Sequence, residues 1–265
     1  MFLKRDYGKL YYEIYGDGDP LLLIHGVVVD AALYEKTAQI LSQYYKVICY
    51  DRRGYSRSKS EELTTFCIEE QAEDILALLD ELNVKKVKIV GASAGAVIGQ
   101  YFLCKYPDRV EHLVMHEPAM IGHMLEEDED FARWAQDMEH LIETKKYNTA
   151  LLRFSEHIGT PDSRSPKKPE EVSLREMNNI EYAFTVEIPS LLKYQPELDE
   201  MYHEADKITI TVGEKSGYTV YVQEALRLAE KIGKKVLYYP GGHNLPYDLP
   251  VEFAICLIGT FRIFK

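Results

Sequence analysis

The stretch Val87-Lys88-Ile89-Val90-Gly91-Ala92-Ser93-Ala94-Gly95-Ala96-Val97-Ile98-Gly99 decides the fold. A short β-rich run, Val87 to Val90, enters a corner of small residues and leaves it as an apolar helix that extends to about Tyr106. A strand that turns into a helix within five residues needs small side chains on both sides of the corner, because the two backbones come close together there. The serine at the centre is therefore expected on a tight turn, with its hydroxyl at a helix N-terminus, where free N–H groups and the helix dipole favour negative charge.

Outward from this corner the same rhythm repeats. Upstream, Ile68, Ala72, Ile75, Leu76, Leu79 and Leu82 recur at helical spacing and predict an amphipathic helix. Before it, Tyr45 to Tyr50 is strand-like, residues 32–43 are helical in pattern, and Leu21 to Ile24 is an unbroken apolar run of the kind buried on both faces of a sheet. Leu10 to Tyr15 alternates, and the turn Gly16-Asp17-Gly18-Asp19-Pro20 behind it predicts a hairpin. Downstream, Pro107-Asp108 stops the apolar helix and Val110 to Met115 is the next strand. Strands alternating with crossover helices predict an α/β fold with a mostly parallel sheet.

The rhythm breaks at Ala119. Residues 119–206 hold long polar helical stretches such as Asp128 to Lys145, and a Pro-, Ser- and Lys-rich loop from Gly159 to Pro169. Alternation resumes with Ile208 to Val212, a helix over 219–232, a strand Val236 to Tyr239 and a last helix from Pro250 to Lys265. The expected organisation is a core of residues 1–118 and 207–265, interrupted by a helical cap over 119–206. Trp134, Phe131, Met138, Leu141, Phe154, Tyr182, Phe184, Leu191 and Tyr194 give the cap apolar faces that either pack its helices together or roof a pocket. The last helix is apolar nearly all round and is expected to lie under the N-terminal hairpin and the sheet, or at a subunit interface, so monomer and homodimer both stay open.

The 265 residues include 31 basic and 43 acidic side chains, for a net charge of −12, with 46% hydrophobic residues. That composition buries a core, and its acidity argues against nucleic acid, whose binding depends on cationic side chains releasing counterions. Residues 119–206 alone carry 20 acidic and 9 basic side chains, a net of −11 that leaves −1 for the core. Neutral or cationic substrates are therefore expected over anionic ones. No apolar run is long enough to span a bilayer. Lys4, Arg5, Asp6 and Lys9 argue against a secretory signal, and the four dispersed cysteines fit reduced thiols, so the expected location is the cytoplasm.

Three further pieces bear on chemistry. After the first buried strand comes His25-Gly26-Val27, where the Val27 N–H can join that of Ala94 as the pair of donors of an oxyanion hole. His25 itself is expected to be structural. After the last strand comes Gly241-Gly242-His243-Asn244, which places His243 to act as general base on Ser93. His112, His140, His157 and His203 are expected at the surface or in the cap. No Gly-x-Gly-x-x-Gly follows a strand and no paired Cys or His spacing suggests a metal, so no cofactor is implied.

Taken in order, His25-Gly26, the loop Asp51-Arg52-Arg53-Gly54-Tyr55-Ser56-Arg57-Ser58, the Gly91 to Gly95 corner and Gly242-His243 resemble the α/β-hydrolase superfamily over nearly the whole chain. The resemblance implies Ser93 as nucleophile, His243 as base, and Val27 with Ala94 as oxyanion donors. The sequence departs from the family at Ser56, where a second glycine is usual, and at Ser216, where Gly213-Glu214-Lys215-Ser216 stands in place of Gly-Glu-x-Asp and the usual acid is missing. Certain haloalkane dehalogenases and zearalenone-type lactonases carry their acid after the strand that follows the nucleophile helix. Met115-His116-Glu117-Pro118 looks similar, making Glu117 the favoured acid, with Glu214 and Asp248 as alternatives. A serine at 93, rather than an aspartate, points to acyl chemistry on an ester or lactone. Carbon–carbon bond hydrolysis or perhydrolysis by the same triad is an alternative, as is a non-catalytic ligand-binding protein on this scaffold.

Overall fold

The computed structural model describes residues 1–60, 63–159, 161–196 and 198–263. Its strands are β1 (Phe2–Arg5), β2 (Gly8–Tyr15), β3 (Asp19–Ile24), β4 (Tyr45–Tyr50), β5 (Val87–Ala92), β6 (Val110–His116), β7 (Ile208–Gly213) and β8 (Leu237–Tyr239). They form one sheet in the order β1-β2-β4-β3-β5-β6-β7-β8. From β4 to β8 every pairing is parallel, while β1 and β2 run antiparallel at one edge.

Core helices α1 (Glu35–Leu41), α2 (Ile68–Glu81) and α3 (Ala94–Lys105) link the first strands. The segment between β6 and β7 holds α4 (Met124–Glu127), α5 (Glu129–Glu143), α6 (Tyr147–Ile158), α7 (Glu170–Tyr182), a π-helical turn Ala183–Glu187, α8 (Ile188–Leu191) and α9 (Leu198–His203). After β7 come α10 (Val220–Lys231), α11 (Leu245–Asp248) and α12 (Pro250–Ile263). The starts of α5 and α10 are set by side-chain caps: Asp128 accepts from the N–H of Phe131, and Thr219 from that of Val222.

The unbroken apolar strands are explained by helices on both faces of the sheet. Leu22, Ile24, Ile89, Leu113 and Met115 pack with α2, α3 and α10, while Leu21, Leu23, Val90 and Val114 pack with α1, α11 and α12. Successive residues thus serve opposite cores, as the two-residue period of a strand requires.

Several expectations are corrected. Gly16–Pro20 does not close a hairpin: β4 lies between β2 and β3, and the hairpin is β1–β2. Glycine is needed at Gly16 and Gly18 because a Cβ there would sit 2.3 Å from the Ser42 carbonyl oxygen and 2.4 Å from that of Tyr44. The last helix packs with α1 and the sheet in a cluster that Tyr15 of β2 joins, and leaves Val251, Ile255 and Ile263 exposed. Its expected end at Lys265 lies outside the described residues, as does Thr160 in the expected 159–169 loop. Among the described residues no helix is long and apolar enough to cross a membrane.

Candidate active site

Because the strands from β4 to β8 run parallel, the loops at their carboxyl ends share one rim, where ligands bind in open α/β sheets. Ser93 sits there between β5 and α3 with φ 55° and ψ −121°, a strained conformation for a residue with a side chain. Its N–H donates to the His116 carbonyl at 2.9 Å, and its carbonyl accepts from Ala96 N at 3.0 Å. The flanking glycines are dictated by contact: a Cβ on Gly91 would lie 2.3 Å from the Gly95 carbonyl oxygen, and one on Gly95 would lie 2.1 Å from that of Ile24. Gly26 follows the neighbouring strand β3, with the position of a Cβ 3.3 Å from Ser93 Cβ and 3.8 Å from its Oγ.

His243 Nδ1 donates to Glu117 Oε2 at 2.8 Å. Protonation at Nδ1 leaves Nε2 as the acceptor. Glu117 is fully buried at the end of β6, itself at positive φ (44°). Its Oε1 accepts from Gly213 N at 2.8 Å and from the Ser216 hydroxyl. Burial opposes ionisation of this carboxyl, but the hydrogen bond and charge of His243, with His116 and Ser216, outweigh it and lower the pKa to about 2. The serine that stands in the usual acid position thus donates to the carboxylate of Glu117. Glu214 contributes a backbone N–H to Tyr239, and Asp248 accepts from Asp162 N at 3.1 Å. Among the described residues neither side chain is hydrogen-bonded to His243, whose Nδ1 is taken by Glu117.

Other rim residues brace this group. His116 Nε2 donates to the Gly242 carbonyl at 3.4 Å and its Nδ1 meets Thr211 Oγ1 at 3.1 Å, which ties the His243 loop to β6 and β7. The Tyr221 ring lies 4.6 Å from that of His243. His157 stacks on Trp134 at 4.0 Å, and burial holds its pKa down at about 4. His112, expected at the surface or in the cap, is instead buried in β6 against Thr209. Ser56 takes φ 43°, the left-handed conformation that explains a glycine at this position, and Asn179 holds it by hydrogen bonds to its N–H and hydroxyl.

Ser93 and His243 line a cavity of about 480 Å³, within the usual range for small-molecule sites. Its walls are Val27, Val28, Val29, Leu33, Leu151 and Ile158 among others. Of the nine apolar cap residues singled out from the sequence, Phe154 lines this cavity, while the rest serve chiefly as packing within the cap or against the core. Met177 and the ion pair Lys168–Glu176 (2.5 Å) also line it and were not anticipated.

The family profile described as alpha/beta hydrolase fold matches residues 19–250. The chain is 27% identical over 245 residues to the uncharacterized hydrolase YraK of Bacillus subtilis, covering 89% of this chain and 86% of that protein. A structure from work on carboxylesterases of Nitrososphaera gargenis superposes with a TM-score of 0.77 at 19% identity, over 100% of this chain and 98% of that one. An alpha/beta hydrolase from Sphaerobacter thermophilus gives 0.70 at 18% identity, over 98% and 100%.

Proposed function

The chain belongs to the α/β-hydrolase fold family, and on that premise we propose that it is a cofactor-independent serine hydrolase of carboxylic esters or lactones. Ser93 Oγ attacks the carbonyl carbon while His243 Nε2 takes its proton. Glu117 fixes the Nδ1–H tautomer and stabilises the imidazolium that forms. The N–H groups of Val27 and Ala94 receive the oxyanion. The imidazolium then protonates the leaving alcohol, an acyl-enzyme remains on Ser93, and water deprotonated by His243 releases the acid.

The observation that carries this reading is the 2.8 Å Glu117–His243 hydrogen bond at a cavity that Ser93 also lines. The Ser216 hydrogen bond to Glu117 weakens the case for a scaffold that has lost turnover, since the site without its usual aspartate still has a buried, ionised acid. The apolar walls favour an aliphatic or aryl group beside the scissile carbonyl. A panel of p-nitrophenyl esters and lactones of increasing size tests the proposal. Turnover that disappears in Ser93→Ala is expected, and turnover that survives in Ser93→Ala contradicts it.

A further inference from the structure

Among the contacts between cap and core, one face of one helical segment holds the loop beside Ser93. Arg175 Nε donates to Asp30 Oδ2 at 2.6 Å, and Asn179 Nδ2 donates to the Val28 carbonyl at 2.8 Å. Tyr182 packs against Gly54 so closely that a Cβ there would lie 2.3 Å from its ring. Glu187 accepts from Arg52 Nη1 at 2.7 Å and from the Tyr55 hydroxyl. At about 100° per residue, positions 179 and 182 lie within about 40° of Arg175, but position 187 would lie about 120° away on a regular helix. The π turn Ala183–Glu187 adds one residue to its turn and brings Glu187 back to about 20°. The irregularity is what aligns Glu187 with the gripping face.

Arg52 carries this grip to the oxyanion loop. It is fully buried, and its Nη2 donates to the Gly26 carbonyl at 2.9 Å. Its own N–H donates to His25 Nε2 at 2.9 Å, which leaves His25 Nδ1 as the second donor to the Gly26 carbonyl, at 2.7 Å. The Gly26–Val27 peptide is trans, so with its carbonyl held on one side, the Val27 N–H points to the other. Two donors on the carbonyl also polarise that peptide. The loop is strained: Val28, a β-branched residue, has φ 69°. Stability alone does not explain the arrangement, because a buried ion pair is often no better than apolar packing, and Arg52 Nε is buried without a hydrogen-bond partner among the described residues.

We infer that Arg52 is a positioning residue for the oxyanion donor Val27, and that Glu187 of the cap holds it there, so that seating the cap assembles the oxyanion site. This rests on the serine-hydrolase reading. The test compares wild type with Arg52→Lys and with the apolar triple variant Arg52→Met/Tyr55→Phe/Glu187→Leu, after fluorophosphonate labelling of wild-type Ser93. Lysine keeps the charge but cannot fork between Glu187 and Gly26. Expected for both variants is a kcat lowered about 10- to 100-fold with KM within about threefold. The Ki of an alkylboronic acid, whose tetrahedral adduct places an oxygen in the oxyanion position, should rise by the same factor as kcat/KM falls. If the triple variant melts early, Arg52→Lys decides alone. Wild-type kcat and boronate affinity in folded Arg52→Lys would overturn the inference while leaving the hydrolase reading intact. A wild type that neither labels at Ser93 nor turns over esters would overturn both.

Discussion

Glu117→Gln is the substitution on which the acid assignment turns, and the structure says what the amide would do. The Gly213 N–H donates to Oε1 at 2.8 Å, so the amide oxygen must stay on that side; a flipped amide would set one donor against another. The NH2 group is then left at the place of Oε2, 2.8 Å from His243 Nδ1. Two donors cannot share that line, so His243 is driven to the tautomer protonated on Nε2 and can no longer accept the Ser93 proton. In the triad template the equivalent tautomer error costs about 10⁴-fold in kcat, and partial reorientation of the ring sets the lower bound at about 10²-fold. The assay is kcat/KM on a short-chain p-nitrophenyl ester, with Glu214→Gln as control because Glu214 has no part in this network. The expected outcome is a loss of about 10²- to 10⁴-fold in Glu117→Gln with KM little changed, and activity near wild type in Glu214→Gln. Near-normal activity in a folded Glu117→Gln refutes the reasoning.

Other outcomes follow from the same contacts. The Glu117 carboxyl has a folded pKa of about 2 against an ordinary value of 4.5, so its contribution is present above about pH 4.5 and is lost as pH falls toward 2. The shift corresponds to about 3 kcal/mol, and urea melts at pH 6 and pH 3 should lose less stability in Glu117→Gln than in wild type. Moving the acid back, in Glu117→Ala/Ser216→Asp, should recover at least about tenfold in kcat/KM over Glu117→Ala alone; no recovery would mean that β7 no longer presents position 216 to His243. Gly95→Ala should lower stability by about 3 kcal/mol or prevent folding, measured by thermal melting, because the added methyl meets the Ile24 carbonyl oxygen at 2.1 Å. If the acidic cap selects against anionic esters, raising salt from about 0.02 to 0.5 M should narrow the preference for neutral over anionic analogues; an unchanged ratio would leave that charge a purely solubilising role.

The sheet and the order of its loops were legible in the sequence because period, small-residue corners and apolar runs are local signals. What escaped depended on contacts between distant segments. Gly16 and Gly18 looked like a hairpin turn, but their glycines serve the close passage of the chain over Ser42 and Tyr44. The strand Phe2–Arg5 went unread because a four-residue, half-charged edge strand has little pattern of its own. Ser56 stood out as a departure, yet that it keeps the left-handed backbone and is held by Asn179 needed the fold. Glu117 was traceable as a partner for His243 because it ends the strand beside Ser93, whereas the donation from Ser216 to it was not. Arg52 gave no sign of its reach from the Gly26 carbonyl to Glu187, 135 residues later. Glu117 and His243 are almost as far apart, but each follows a strand at the same rim, a placement the strand pattern shows, whereas Glu187 lies in a helical segment whose docking the pattern does not fix.

A serine hydrolase requires Ser93 to be a nucleophile activated by its neighbours, and one measurement addresses that directly. Folded wild-type protein is incubated with a fluorophosphonate, and the adduct is located by intact mass and peptide mapping, with Ser93→Ala and His243→Ala alongside. One adduct per chain on Ser93, absent from Ser93→Ala and formed at least about 10²-fold more slowly in His243→Ala, is the predicted result. No adduct on folded wild type, or equal labelling of Ser93→Ala, would contradict a nucleophilic Ser93.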